Sequence, residues 1–429
     1  MLSSQRSKLF FASCLALLVT SLSFGIRAGL LNQWEAEFQL SGVQLANIAA
    51  TAFWSFPLAV IIGGMLVDAI GMKKILMLAF FFHLVGIVMT IFSTGYWTLF
   101  ISTLLIGIAN GTVEAACNPL VASLYPDNKT TKLNHFHLWF PAGIVIGSLV
   151  VFFFNKLGIG WQWQMAVMIL PTLAYGHLFF YQELPVTERV AIGVSSREMY
   201  RSLLNPLFIF MVICMFGTAI TELFVNQWSP LLLSNVTENP ILLLMLTTGV
   251  MVIGRGLAGP VAKKISTTGM LLASAIISFL GLYLIANTTG AAIFAGALVF
   301  GIGVCYFWPT MIGFVAEYLP RTGAVGISLI GGAGMFAVSI YTMFMGGFYD
   351  RLVLTRLPAG ANLDIYKNAQ EGTEMATQYL AARSAAGPEV LNATLIIPGI
   401  LILAFAGLFV YMRTVYRRKD ASKENPIQV

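Results

Sequence analysis

Apolar runs of about twenty residues, broken by short polar turns, recur from one end of the chain to the other. At a rise of about 1.5 Å per residue, roughly 20 residues cross a hydrocarbon core of about 30 Å, so each run predicts a membrane-spanning helix. Twelve spans are predicted, near 9–31, 43–67, 75–95, 97–124, 136–157, 163–182, 205–232, 240–262, 268–288, 290–317, 325–348 and 393–415. Lipid gives an open sheet edge no partner, and a barrel would show short alternating strands, so the expected class is an all-α membrane protein. The first run follows Arg6 and Lys8 but outlasts the apolar core of a secretion signal and lacks a small-residue cleavage site. It is kept as a span.

The spans repeat. Asn32-Gln33-Trp34 recurs as Asn226-Gln227-Trp228, 194 residues later. The same shift lays Gly107 of GIANG on Gly301 of GIGVC, and Pro126 of SLYP on Pro320 of EYLP. Two pseudo-symmetric six-helix bundles are therefore expected, at residues 1–184 and 205–417, joined by a charged linker at 185–204 and followed by a basic tail at 418–429. Repeats of this kind place a substrate site midway across the membrane, where the bundles meet. Trp34 and Trp228 are expected as interfacial anchors. The stretch 350–392, rich in Ala, Glu and Gln, is expected as a long outward loop, formed as a solvated surface helix or as a lid.

Composition agrees with this reading: 58% of residues are hydrophobic and 10% charged, against about 25% charged in a soluble domain. A single soluble globule is excluded. Seventeen lysines and arginines, among them Lys73, Lys74, Lys129 and Lys132, fall on one predicted side and five on the other, which predicts cytoplasmic termini. The net charge of +6 thus has a topological origin and implies a lipid bilayer, not nucleic acid, as partner. Cys14, Cys117, Cys214 and Cys305 fall inside spans without metal-type spacing and read as packed thiols. No metal or cofactor is expected, and the chain reads as a monomer and not as an enzyme.

An ionised group within a span is costly and marks a functional candidate. Three stand out: Arg27, Glu114 and Glu222. Asn110, Glu114 and Asn118 are spaced i, i+4, i+8 and share one stripe of a helix. Burial disfavours a charged carboxylate, so Glu114 suits reversible protonation, with a structural interhelical bond as the alternative. Thr218, Glu222, Asn226 and Ser229 repeat the design in span seven, where Glu222 serves substrate hydroxyls or a cation, or pairs with Arg27. Arg27 either snorkels or pairs, or touches an anionic substrate. In span five, His137 precedes Pro141, which loosens the helix, and Gly143 and Gly147 form a small-xxx-small contact. His83 and His177 read as satisfied packing residues and His135 as a surface residue. Trp308, with Tyr306 and Thr310, supplies an aromatic plate suited to a sugar ring. The glycines Gly331, Gly332 and Gly334 suggest tight packing in span eleven.

The turn GGMLVDAIGMKK, through Gly64, Asp68, Gly71, Lys73 and Lys74, resembles the gating signature of the major facilitator superfamily. The equivalent turn in the second half, GRGLAGPVAKK, lacks the aspartate. Within that superfamily, VEAACNP in span four, Leu133, Asn134, His137, Phe140 and Gly143 in span five, and Glu222 with Trp228 in span seven resemble the fucose/proton symporter family. The resemblance implies a secondary active transporter taking up a monosaccharide by symport with a proton or sodium ion. It places cation coupling on Glu114. The residues themselves add Glu222 and His137 as coupling candidates, and Asn110, Asn118, His137, Glu222, Asn226, Arg27 and Trp308 as candidates for binding the substrate. The family's acid in span one is replaced here by Ala28 beside Arg27, and its glutamine and asparagine in span five by His137 and Phe140. Those departures favour a hexose in general over L-fucose. The alternative is an organic-anion carrier or small-molecule exporter of the same superfamily using Arg27.

Overall fold

The computed structural model describes residues 3–233, 240–370 and 372–416. Among these the regular structure is entirely helical. Four long helices come first: α1 (Ser3–Phe38), α2 (Gly42–Ile70), α3 (Met72–Ile91) and α4 (Tyr96–Leu124). Ser41 caps α2, accepting from the Gln44 amide while the Gln44 side chain returns to the Ser41 amide. Gly71, at φ +88°, is the single residue between α2 and α3, a turn that a side chain would strain. The fifth span is two pieces, α5 (Lys129–His137) and α6 (Trp139–Lys156), and the sixth is two shorter ones, α7 (Trp161–Ala166) and α8 (Ile169–Tyr181).

The 185–204 stretch holds α9 (Glu188–Ala191) and α10 (Ser196–Ser202). Beyond it α11 (Pro206–Ala219) runs through a π-helical turn, Ile220–Phe224, into α12 (Val225–Leu232). Next, α13 (Pro240–Gly256) meets α14 (Ala258–Lys264) at a bend of 62°. The remainder is α15 (Thr267–Asn287), α16 (Ala291–Val304), α17 (Phe307–Tyr318), α18 (Gly323–Leu354), α19 (Leu363–Lys367), α20 (Glu374–Thr394) and α21 (Ile396–Tyr411). Among the described residues, ten helices are long and apolar enough to cross a membrane, or eleven with the bent pair. The remaining expected span, the sixth at 163–182, is interrupted at Val167 and Met168 and so falls into two segments.

The chain packs as two compact units. One comprises Met1–Met215, Arg255–Ala258 and Trp308–Ser339; the other comprises Phe216–Gly254, Gly259–Phe307 and Ile340–Val429. Lipid supplies no hydrophobic drive between helices, so close approach relies on small residues. Gly143 and Gly147 of α6 lie against Ser21 and Leu22 of α1, as their spacing predicts. Gly64 of α2 meets Ser328 and Ala324 of α18, and Gly332 of α18 meets Ile61 and the Pro57 carbonyl.

The internal repeat is visible inside each unit separately. In the first, Gly111 of α4 lies against the Phe56 carbonyl and the Val60 amide of α2; in the second, Gly254 of α13 lies against Cys305, just after α16. The 194-residue shift carries Gly111 onto Cys305 and Val60 onto Gly254. The contact is conserved between repeats while the glycine has changed sides. Pro126 and Pro320 likewise each open a 3-10 turn, Pro126–Asn128 and Pro320–Thr322.

Three expectations are corrected. Trp34 is no interfacial anchor: it is fully buried, edge-on to Trp161 at 5.9 Å between ring centroids. The 350–392 stretch is neither open loop nor fully solvated helix, since α20 buries Ala382, Ala386, Val390 and Leu391 and presses Gly387 onto the Leu232 carbonyl. His177 is exposed beside Tyr181 instead of packed in a core. The four cysteines are buried free thiols, as read. Replacing Gly111 with Leu is expected to lower the thermal midpoint of the purified protein, since overpacking costs about 1–3 kcal/mol. Gly347→Ala, inside α18 where a Cβ has nothing within 4 Å, should hold or raise the midpoint, since alanine favours a helix interior by about 0.5–1 kcal/mol.

Candidate functional site

Glu114 and Asn118 stand one turn apart on the buried part of α4, at 4% and 3% exposure. The Asn118 amide donates from Nδ2 to Glu114 Oε2 at 2.6 Å. Its Oδ1 accepts from His137 Nε2 at 2.9 Å. That bond assigns the imidazole proton to Nε2, which leaves a lone pair on Nδ1 of neutral histidine. Nδ1 lies 3.9 Å from Glu114 Oε1. With the proton on Nε2, Nδ1 presents its lone pair toward the carboxylate, and the charge of Arg255 acts on both groups. The structure brings Glu114, Asn118 and His137 together in one buried cluster.

His137 ends α5, and the chain resumes as α6 after Leu138. Pro141 has no N–H to offer the carbonyl four residues earlier, which is that of His137. Arg255 takes the orphan, donating from Nη1 at 2.9 Å. The Trp139 carbonyl accepts from Ser21 Oγ at 3.0 Å. Arg255, 2% exposed, is the side chain that sequence reasoning missed. The signal was present: position 255 lies within the predicted eighth span, 240–262, yet its resemblance to a loop signature hid it among turn residues.

Asn110 belongs to a different network despite sharing the i, i+4, i+8 spacing. Its Nδ2 donates to Ser23 Oγ at 2.9 Å, and its Oδ1 is 2.8 Å from His83 Nε2. His83 Nδ1 meets the Tyr175 hydroxyl at 2.8 Å, so His83 is the satisfied packing residue expected. Arg27 is half-buried, with its guanidinium 5.4 Å from the Phe24 ring centroid. Trp308 is buried, its ring beside Gly331. Thr310 accepts from Asn134 Nδ2 at 3.3 Å. His135 is half-buried against the Gly256 backbone instead of lying at the surface.

In the second unit Glu222 is buried within the π-helical turn, a distortion that exposes or redirects side chains and is common at functional sites. Asn226, half-buried, points Nδ2 at Met251 Sδ at 3.6 Å. Trp228 stacks on Phe224 at 5.3 Å. Tyr306 donates to the Gly254 carbonyl at 2.8 Å.

At the basic end of the first unit, Asp68 of the GGMLVDAIGMKK turn receives Arg189 Nε at 2.6 Å and the Thr187 hydroxyl. One residue earlier in the linker, Glu188 pairs with Lys129 at 2.6 Å, and Lys129 also donates to the Ala316 carbonyl at 2.9 Å. Glu317 accepts from the Thr130 amide at 3.0 Å. The linker is thus fastened to α2 and α5 by crossed charges, and α5 in turn to α17 through Lys129 and Thr130. Lys73 is half-buried and Lys74 exposed just beyond. On the exposed side of the linker, bonds from the Ser195 amide and hydroxyl lower the pKa of Glu198.

Helices of this length, glycine-packed and repeated about a shared plan, define a multi-pass helical membrane protein. The family model of the Major Facilitator Superfamily matches residues 9–354, and the chain belongs to that family. A D-xylose transporter of Levilactobacillus brevis is 29% identical over 142 residues, 33% of this chain, and the match spans only 29% of that relative's length. The sialic acid transporter NanX of Escherichia coli is 21% identical over 371 residues, 80% of this chain and 88% of that one. The fucose:proton symporter FucP of E. coli superposes with a TM-score of 0.67 at 16% identity, over 91% of this chain and 98% of that one, a likeness of fold alone. These relatives are transporters, not enzymes.

Asn118→Ala leaves both Glu114 and His137 without their shared partner, and should lower the thermal midpoint by the equivalent of about 1–3 kcal/mol. Asp68 and Arg189 form a buried pair at 6% and 8% side-chain exposure. Removing one member, as in Arg189→Ala, should cost about 3–5 kcal/mol. The exchanged pair Asp68→Arg with Arg189→Asp should recover part of that loss in the same melting experiment.

Proposed function

We propose that the protein takes up a monosaccharide of the hexose type by proton symport, in a bacterial inner membrane with both termini cytoplasmic. The observation that carries this reading is the Glu114–Asn118–His137 relay, in which a lone pair and a carboxylate face each other across the room for one proton. Loading that proton neutralises the site, and losing it restores repulsion, so occupancy changes the balance between conformations. Within the first unit the Asn118 amide suits a sugar hydroxyl and Trp308 a sugar's apolar face, and within the second Glu222 and Asn226 suit hydroxyls. The likeness to a D-xylose transporter and to FucP supports a sugar cargo. The relay supports a proton over sodium, since it offers a base and no cage of oxygen ligands.

A second reading is transport of an organic anion, with Arg27 as the ligand of its carboxylate. The half-buried guanidinium over Phe24 and the likeness to a sialic acid transporter favour it.

The test is uptake into proteoliposomes of D-glucose, D-xylose, L-fucose and N-acetylneuraminate, with the pH and sodium gradients varied separately. Proton symport of a neutral sugar predicts accumulation driven by an inward proton gradient and indifferent to sodium. Glu114→Gln should keep sugar counterflow and lose gradient-driven accumulation. Accumulation of N-acetylneuraminate alone, abolished by Arg27→Gln, would establish the second reading, and a sodium requirement would remove the proton.

A further inference from the structure

The break in the fifth span raises a question that the coupling reading does not answer: what holds His137 in line with Asn118 and Glu114. The helical path runs on through Leu138, whose amide bonds the Asn134 carbonyl, but Pro141 withdraws the amide that would bond the His137 carbonyl, so the helix alone leaves that group open. A buried carbonyl left unpaired in a membrane costs free energy and leaves its residue free to turn. The carbonyl is instead held at 2.9 Å by Arg255, from the last turn of α13, at the point where α13 bends 62° into α14. Two helix discontinuities, one in the fifth span and one in the eighth, are therefore joined by a single guanidinium.

We propose that Arg255 is a positioning residue for the coupling relay: by bonding the His137 carbonyl that Pro141 leaves open, it fixes the imidazole against Asn118 and Glu114. Arg255 carries no proton and touches no cargo in this role. It acts through the backbone of His137. The inference deepens the coupling reading above and rests on it for its consequence in transport, but the bond itself is testable without any substrate.

Pro141→Ala is the diagnostic variant, because it restores an N–H able to bond the His137 carbonyl within the helix and so makes the arginine's bond redundant. Full-length protein in lipid nanodiscs would be followed by amide hydrogen exchange at Leu138, Trp139, Phe140 and Ala142. Arg255→Gln is expected to speed exchange there by about tenfold or more, the scale of one hydrogen bond to a charged group. Adding Pro141→Ala to it should return exchange to near the wild-type rate. In proteoliposomes loaded with D-glucose, D-xylose or L-fucose, Arg255→Gln should lose accumulation while keeping counterflow, and the double variant should regain accumulation.

Unchanged exchange in Arg255→Gln would overturn the proposal. So would a double variant that stays as fast as the single one, for then the arginine would act through its charge and not through the carbonyl. Should Arg255→Gln fail to fold, recovery of folded protein in the double variant supports the proposal and failure of both sinks it. If wild-type protein carries none of the three sugars, the sugar reading falls while the exchange measurement still decides this one.

Discussion

In hydrocarbon every polar group must find its partner within the protein, and the structure follows from that requirement more than from any other. Regular helix satisfies most of the backbone, and the interest lies where it fails. Pro141 orphans a carbonyl, and Arg255 fills the vacancy; the Trp139 carbonyl draws Ser21 from α1. The same rule ties Asn118 to two neighbours at once and gives Asp68 both Arg189 and Thr187. Polar groups here are connectors between helices, and the breaks they repair are the places where helices are joined.

The fold was legible because its signals are one-dimensional. Run length gives spans, and a fixed shift such as that from Pro126 to Pro320 gives a repeat that reappears as two matching 3-10 turns. Helix interruptions were less legible. The sixth span divides at Val167 and Met168, where apolar residues continue without a break in hydropathy.

The site was legible only up to the helix face. Spacing put Asn110, Glu114 and Asn118 on one stripe, but a stripe lengthwise along α4 meets different neighbours at each turn. Asn110 reaches Ser23 and His83, while Glu114 and Asn118 reach His137. Which neighbours wait at each level depends on how far apart in sequence the packed helices are, and no local pattern carries that. Arg255 shows the same limit: its partner lies 118 positions away. Trp34 shows another, for a large aromatic at a span's end reads as an anchor until Trp161 is seen to cover it.

The chain of bonds through Tyr175, His83, Asn110 and Ser23 passes in turn through α8, α3, α4 and α1. Each link is between side chains of different helices, and none can slide without breaking the next. Those four helices are bolted through their middle, whereas α5 and α6, meeting at Leu138 outside that bolt, are held at their backbone carbonyls instead, by Arg255 at His137 and by Ser21 at Trp139.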